Sequence, residues 1–166
     1  MSRNPSSPFT LWAVLTTCLV LTTVPVPDFL HPLRPPLLAM AVIYWAMMWP
    51  RLCGIGTAFV IGLVLDVLQG TLLGQHALAL SLVCFITLKL HLQIRIFPLW
   101  QLTATVFALL FMDAFLVFWV DGIVDAPTQG LSRWTHVLAG AVLWPPVMAI
   151  FDRIRQRSEN RRKAFA

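Results

Sequence analysis

The sequence predicts an all-α integral membrane protein, a bundle of six transmembrane helices with both termini in the cytoplasm. Three observations predict this fold class. The composition is apolar, proline, glycine and charged residues divide the chain into six apolar stretches, and the basic residues are unevenly distributed. Of the 166 residues, 58% are hydrophobic and only 11% are charged, whereas an ordinary soluble domain carries about 25% charged residues. A mean hydropathy of +0.79 argues against a water-soluble globule. The length leaves room for about six spans of ~20 residues.

Proline, glycine and charged residues mark where the chain can leave hydrocarbon. The first apolar stretch follows Arg3 and ends at Val24-Pro-Val-Pro-Asp28 without a small-residue cleavage site. It is therefore interpreted as an uncleaved anchor and not as a signal peptide. We predict a single domain without linkers. Its helices are predicted at residues 9–24, 36–49, 52–68, 72–90, 97–120 and 134–151, followed by a basic cytoplasmic tail at residues 152–166.

Lysine and arginine set the predicted orientation, because basic segments near the spans stay on the cytoplasmic side. With the N-terminus inside, ten of the twelve basic residues fall on the cytoplasmic side, and only Arg34 and Arg133 face outward. An odd number of spans would place the basic tail outside. The tail is interpreted as a topology anchor on anionic lipid, and a cytosolic protein partner is the alternative.

Two aspartates, Asp66 and Asp113, fall within the outer halves of predicted spans. An unpaired charge there costs at least about 2.5 kcal/mol. Arg34 opens the second helix from the same side, which leads to the hypothesis that Arg34 and Asp66 form an ion pair between the second and third helices. The alternative is that Asp66 reaches outward to water.

A stripe of small residues accompanies Asp66 on the third helix. Ala58, Gly62, Asp66 and Gly70 recur every four residues, so they share one narrow face. Small residues in this pattern let a second helix approach closely. The stripe therefore predicts a close helix contact with the carboxylate facing that helix and not lipid.

Catalytic and metal chemistry is not predicted. Two intramembrane aspartates could form a catalytic dyad, but Leu63-Val-Leu-Asp66 matches neither the GxGD motif nor the Asn-x-x-Asp-Arg motif of aspartic membrane peptidases. Phosphate-binding loops and dinucleotide fingerprints are absent from the sequence, so no cofactor is expected. The remaining candidate ligands lack metal-site spacing and are interpreted as packing or polar interface residues: Cys18, Cys53, Cys84, His31, His76, His91 and His136.

The sixth predicted helix contains Trp144-Pro145-Pro146 near its middle. Each proline removes an amide donor, so the pair predicts a kink or a break. One interpretation is a fixed kink that shapes packing. The other is a groove for a partner helix or a lipid, which Gly140 would help to form.

Several short strings follow one another in order along the chain. They are Leu33-Arg-Pro35, Ile43-Tyr-Trp45, Trp49-Pro50, Gly56-Thr-Ala-Phe59, Gly62-Leu-Val-Leu-Asp66, Gly70-Thr-Leu-Leu-Gly74, Leu99-Trp-Gln101, Phe118-Trp119 and Leu143-Trp-Pro145. Together they resemble the bacterial rod shape-determining protein MreD family, in its proteobacterial form. The resemblance runs from about residue 10 to residue 157.

The resemblance implies a non-enzymatic component of the bacterial inner membrane that supports lateral peptidoglycan synthesis. Its implied partners are MreC and, through it or beside it, MreB, RodA and the elongation-specific penicillin-binding transpeptidase, with no nucleic acid. The fold would be similar to the substrate-binding subunits of energy-coupling factor importers. The doubled Pro145-Pro146 departs from the single proline of many relatives. The positions that carry the family pattern are Arg34, Pro35, Gly62, Asp66, Gly70 and Gly74.

A second function stays open beside the scaffold. The chain could be a small-molecule or lipid-binding subunit of a membrane transporter, with an outer cavity near Asp66 and Arg34. Its first helix, however, offers only Ala13 and Thr17 as a faint small-residue docking stripe.

Overall fold

A computed structural model describes residues 8–24, 34–123 and 132–164, and these ranges contain helices joined by short turns, without strands. The prediction of an all-α fold is confirmed for these residues. His31 and the side chain of Arg133 lie outside the described part. The helices are α1 (Pro8–Thr23), α2 (Leu37–Met48), α3 (Ile55–Gln69), α4 (Gln75–Ile94), α5 (Leu99–Ile123) and α6 (Ser132–Ala164).

Three of the helices are long and apolar enough to cross a membrane: α4, α5 and the Trp134–Asn160 part of α6. The apolar helices α1, α2 and α3 have only 16, 12 and 15 residues. At about 1.5 Å per residue, α2 is ~18 Å long, whereas the hydrocarbon core is ~30 Å thick. Length and composition therefore support three spans, and the six-span topology stays a prediction.

Helix α2 lies at the centre of the bundle. Ten of its twelve residues are buried, and it contacts α1, α4, α5 and α6. A helix that is apolar all round is typical of such an enclosed position. Within this core the ring of Trp45 packs 4.3 Å from that of Trp49 and 5.2 Å from that of Tyr44, measured between centroids. The short α2 is thus covered by protein along its length.

The predicted small-residue stripe faces α4. Ala58 and Asp66 are buried, and a Cβ atom placed on Gly62 would lie 2.4 Å from the Cα atom of Ala77. The close approach to α4 is therefore confirmed at Gly62, and the carboxylate of Asp66 faces α4 as predicted. Gly70 differs, because it lies beyond the last turn of α3 and ends that helix.

Of the kink or break predicted at Pro145 and Pro146, the break does not occur, because α6 continues through both residues. Each proline removes its own amide donor, and the turns on either side keep theirs. Both prolines are exposed, while Trp144 beside them is buried. Gly140 packs closely inside, since an added Cβ atom would lie 2.7 Å from Cδ1 of Leu110 on α5.

The basic tail begins as a continuation of α6, so the predicted end of the sixth helix at residue 151 is also wrong. The buried hydroxyl of Tyr44 donates to Oδ1 of Asp152 at 2.5 Å, and Nη2 of Arg155 lies 3.1 Å from the same oxygen. Ile154 packs on the apolar core. These contacts tie the first turn of the tail to α2, which explains why the helix does not stop where the charged residues begin.

Candidate functional site

One end of the bundle contains a cavity of about 470 Å³ to which all six helices or their flanking turns contribute. The distribution of basic residues predicts that this end faces outward, and we call it the Arg34 end. Its polar lining consists of Thr22, Thr23, Arg34, Gln69, Thr71, Gln75, His76, Asp113, Asp121 and His136.

Asp66 is fully buried, bonds to Thr71 and His76 of the cavity lining, and organises the turn from α3 to α4. Oδ2 accepts from the amide of Gly74 at 2.8 Å and from that of Ala77 at 3.4 Å. Oδ1 accepts from the amide of His76 and the hydroxyl of Thr71, both at 3.0 Å, and it lies 2.8 Å from Nδ1 of His76. Asp66 thus caps α4, since its carboxylate satisfies amides that have no partner within that helix and interacts favourably with the helix dipole.

Two glycines make this turn possible. Gly70 ends α3 with a φ of 66°, and Gly74 precedes α4 with a φ of 100°. Residues with a side chain rarely adopt such angles. The turn at residues 70–74 therefore depends on glycine at both ends to bring the amides of α4 back to Asp66.

The hypothesis of an ion pair between Arg34 and Asp66 is wrong. The guanidinium group of Arg34 donates to the backbone carbonyl of Leu21 at the end of α1. Both oxygens of Asp66 bond within the α3–α4 turn, and this side chain is 0% exposed, so it does not reach water either. The amides that open α4 are the closer donors, because Asp66 lies on the face of α3 that contacts α4.

Helix α5 brings two carboxylates to the cavity, Asp113 and Asp121. Nε2 of Gln75 donates to Oδ1 of Asp121 at 2.5 Å and to the carbonyl of Val117 at 3.2 Å. Asp113 also has a contact within the protein. The bond from Gln75 to Asp121 joins the start of α4 to the end of α5 on one side of the cavity.

Sequence reasoning singled out Asp113 but missed Asp121 and Gln75. The apolar pattern predicts that the fifth helix ends at residue 120 and leaves Asp121 in a loop, whereas α5 continues to Ile123. The available signal was the spacing: Asp121 follows Asp113 by eight residues, which places both on similar faces of one helix.

Three other predicted site residues, Gly62, Pro145 and Pro146, lie outside the cavity. Gly62 lies in the contact between α3 and α4, and Pro145 and Pro146 lie on the exposed side of α6 away from the cavity lining. His136 joins the cavity, with its Nδ1 atom 2.8 Å from the carbonyl oxygen of Arg34. Within the described ranges, no group of three or more His, Cys, Asp or Glu residues is placed to hold a metal ion.

Comparison with known proteins identifies the family. The family described as rod shape-determining protein MreD matches residues 5–154. The rod shape-determining protein MreD of Haemophilus influenzae is 30% identical over 152 residues, which cover 90% of this chain and 92% of the relative. No solved structure matches the chain. Because the match extends over nearly the whole sequence, the chain belongs to the MreD family of rod shape-determining proteins.

Proposed function

We propose that this protein is a non-enzymatic scaffold of the cell-elongation complex in the bacterial inner membrane. It supports rod shape and lateral peptidoglycan synthesis by binding MreC. The observation that carries this proposal is the family match over residues 5–154. The matched region includes all of α1 to α5 and most of α6, so the likeness extends over the packed bundle and is not confined to one motif.

The contacts of Asp66 favour a structural role over catalysis. Its two oxygens accept hydrogen bonds from Thr71, Gly74, His76 and Ala77 within one turn. A catalytic aspartate dyad needs two carboxylates close enough to share a proton and activate water. A carboxylate engaged in capping a helix is poorly suited to that role.

The scaffold proposal includes a topology of six spans with both termini in the cytoplasm. Alternation of the helices supports it: the C-terminal ends of α1, α3 and α5 meet the N-terminal ends of α2, α4 and α6 around the cavity. Reporters fused to each terminus test it. Cytoplasmic reporter activity at both ends is expected, and an external C-terminus would contradict it.

The proposed partners are MreC first, with MreB, RodA and the elongation-specific transpeptidase in the same complex. Crosslinking can locate MreC, because Cys18, Cys53 and Cys84 are all buried and would give little background. Single cysteines at exposed positions of α3 and α6, such as Val64 and Val142, would be tested against co-expressed MreC. Absence of crosslinks along both helices would redirect the search to α1 and α5.

Depletion of the protein from a rod-shaped host tests the function as a whole. The expected result is loss of rod shape that no added nutrient restores and that the wild-type gene does restore. Normal shape with a nutrient requirement would contradict the scaffold and favour a transport subunit. Co-purification of MreC with the tagged full-length chain provides the biochemical measurement.

The tail half of α6 is proposed to contact anionic lipid. Arg153 and Arg157 are exposed, while Ile154 and Ser158 on the other side are half-buried. Each basic residue near an anionic surface contributes about 1 kcal/mol of attraction. The variant R153Q/R157Q is expected to lower the protein's preference for phosphatidylglycerol in reconstituted membranes, and an unchanged preference would contradict this role.

A further inference from the structure

The cavity at the Arg34 end presents charges of both signs to one space. Arg34 comes from the segment before α2, and Asp113 and Asp121 come from α5. The volume of about 470 Å³ falls within the ~300–1,000 Å³ of typical small-molecule pockets. Asp66 is engaged in capping α4, whereas Arg34, Asp113 and Asp121 line the open space itself.

We propose that this cavity binds a zwitterion, a ligand with an ammonium group beside a phosphate. The chemistry is that of phosphoethanolamine, either as the headgroup of a membrane lipid or as a free molecule. Arg34 holds the phosphate, and the carboxylates of α5 hold the ammonium. This binding site goes beyond the scaffold role and does not depend on it.

The donors and acceptors in the cavity suit such a ligand. The guanidinium group of Arg34 donates to the carbonyl of Leu21, and a guanidinium carries five N–H donors in a planar fork that matches phosphate oxygens. Asp121 accepts from Gln75, and a carboxylate offers about four lone-pair sites. An ammonium group supplies three donors for such acceptors. Arg34 and Asp121 can therefore bond to the two ends of the ligand while they keep their bonds to Leu21 and Gln75.

A ligand of a single charge fits less well. An anion attracted by Arg34 would meet the carboxylates of Asp113 and Asp121, and a simple cation attracted by the carboxylates would meet Arg34. Repulsion of this kind is strong where water is partly excluded. Among the residues that the structure describes, the other ionisable side chains at the cavity are His76, which bonds to Asp66, and His136, which bonds to the carbonyl of Arg34.

The rest of the lining is apolar and suits the hydrocarbon part of a lipid. It consists of Pro35, Pro36, Leu68, Leu110, Ala114, Val117 and Val137. Leu110 precedes Asp113 in α5 by one helical turn. The carboxylates of α5 therefore lie nearer to the Arg34 end than this apolar side chain does. A headgroup would enter between the charged side chains with its carbon atoms against the apolar wall.

Native mass spectrometry of the full-length protein in detergent tests the site. The probes are phosphatidylethanolamine, phosphatidylglycerol with the same acyl chains, and free phosphoethanolamine. Retention of one phosphatidylethanolamine per chain, at least tenfold above phosphatidylglycerol, is expected. If millimolar phosphoethanolamine displaces the lipid, the headgroup alone suffices and a free ligand can use the site; if it does not, the ligand is the lipid. Either result supports the zwitterion.

Two variants test the contributions of the positive and the negative side chains separately. Arg34→Gln and Asp113→Asn are each expected to lower phosphatidylethanolamine retention at least tenfold, and Asp113→Asn is also expected to raise the relative retention of phosphatidylglycerol. A purely structural role would not move this ratio. Arg95→Gln, an exposed arginine after α4, is the matched control and should change nothing.

Measurements on the wild-type protein decide the question even if a variant does not fold. Equal retention of the two lipids would show ordinary boundary lipid and overturn the proposal. A preference for phosphatidylglycerol, or failure to retain any of the three probes, would overturn it as well.

Discussion

The carboxylate of Asp66 at the end of α3 lies 2.8 Å from the ring Nδ1 of His76 in the first turn of α4. The same side chain accepts from the amides of Gly74, His76 and Ala77. The amide of Gln75 bonds instead to the carbonyl of Leu72 at 3.1 Å. The amides that open α4 are thereby satisfied, which is the condition for a helix end to lie buried in an apolar bundle.

Asp66→Asn is expected to destabilise the protein. An asparagine side chain offers one acceptor oxygen in place of two, and its amide group would face backbone donors. The loss should be about 1–3 kcal/mol, seen as a lower melting temperature in detergent and less protein in the membrane. Gln93→Ala, at an exposed position of α4, is the control. An unchanged melting temperature for Asp66→Asn would refute the capping role.

Gly62→Ala is expected to force α3 and α4 apart. The new Cβ atom would lie 2.4 Å from the Cα atom of Ala77 and 2.7 Å from its amide nitrogen, and backbone atoms cannot move away cheaply. Overpacking of this kind costs about 1–3 kcal/mol. Gly56→Ala, in the same helix but with nothing within 4 Å, should instead be neutral or stabilising by up to about 1 kcal/mol. Equal melting temperatures for the two variants would contradict the close contact.

Gly74→Ala is expected to strain the turn before α4. Its φ of 100° is unfavourable for alanine, although nothing within 4 Å would obstruct the added methyl group. Gly70→Asn should be milder, since a φ of 66° lies in the left-handed region that asparagine tolerates. Gly122→Ala, also without neighbours within 4 Å and outside the left-handed region, is the control. Thermal unfolding should rank Gly74→Ala as the most damaging of the three.

Tyr44→Phe is expected to loosen the tail from the core. It removes the hydroxyl that donates to Asp152 at 2.5 Å, and a hydrogen bond to a charged group contributes about 1.5–3 kcal/mol. Asp152→Asn should weaken the same contact. In a double-mutant cycle the losses should be less than additive. Limited proteolysis should cut the tail faster in both variants, and fully additive losses would argue against the contact.

Local composition was enough to predict most of the helices. Pro50, Gly54 and Gly74 interrupt apolar stretches. Helix α2 ends shortly before Pro50, α3 begins directly after Gly54, and α4 begins directly after Gly74. The helix contact at Gly62 was also predictable, because four-residue spacing of small residues depends only on helix geometry. The end of α6 was not predictable in this way. The charged residues after residue 151 suggest a tail, but Tyr44, which is distant in sequence, holds the first turn of that tail in place.

The candidate site was predicted only in part for the same reason. Asp66, Asp113 and Arg34 were recognised because a charge in an apolar segment is conspicuous in any sequence. Their partners were not recognised. The hypothesis of an Arg34–Asp66 pair rests on opposite charge, whereas the structure pairs Asp66 with the backbone amides that begin α4. Gln75, which binds Asp121, gave no comparable signal because a neutral side chain is common at a helix start.

The sequence by itself determined that the chain is apolar and helical, where its turns fall and to which family it belongs, because these properties follow from residue types and their order. Only the tertiary structure decided which groups satisfy the buried polar atoms. The bond from Gln75 to Asp121 joins residues 46 apart, and that from Tyr44 to Asp152 joins residues 108 apart. Such pairs form only when helices distant in the chain pack side by side, and the cost of an unsatisfied polar group in an apolar interior then selects the arrangement in which they meet.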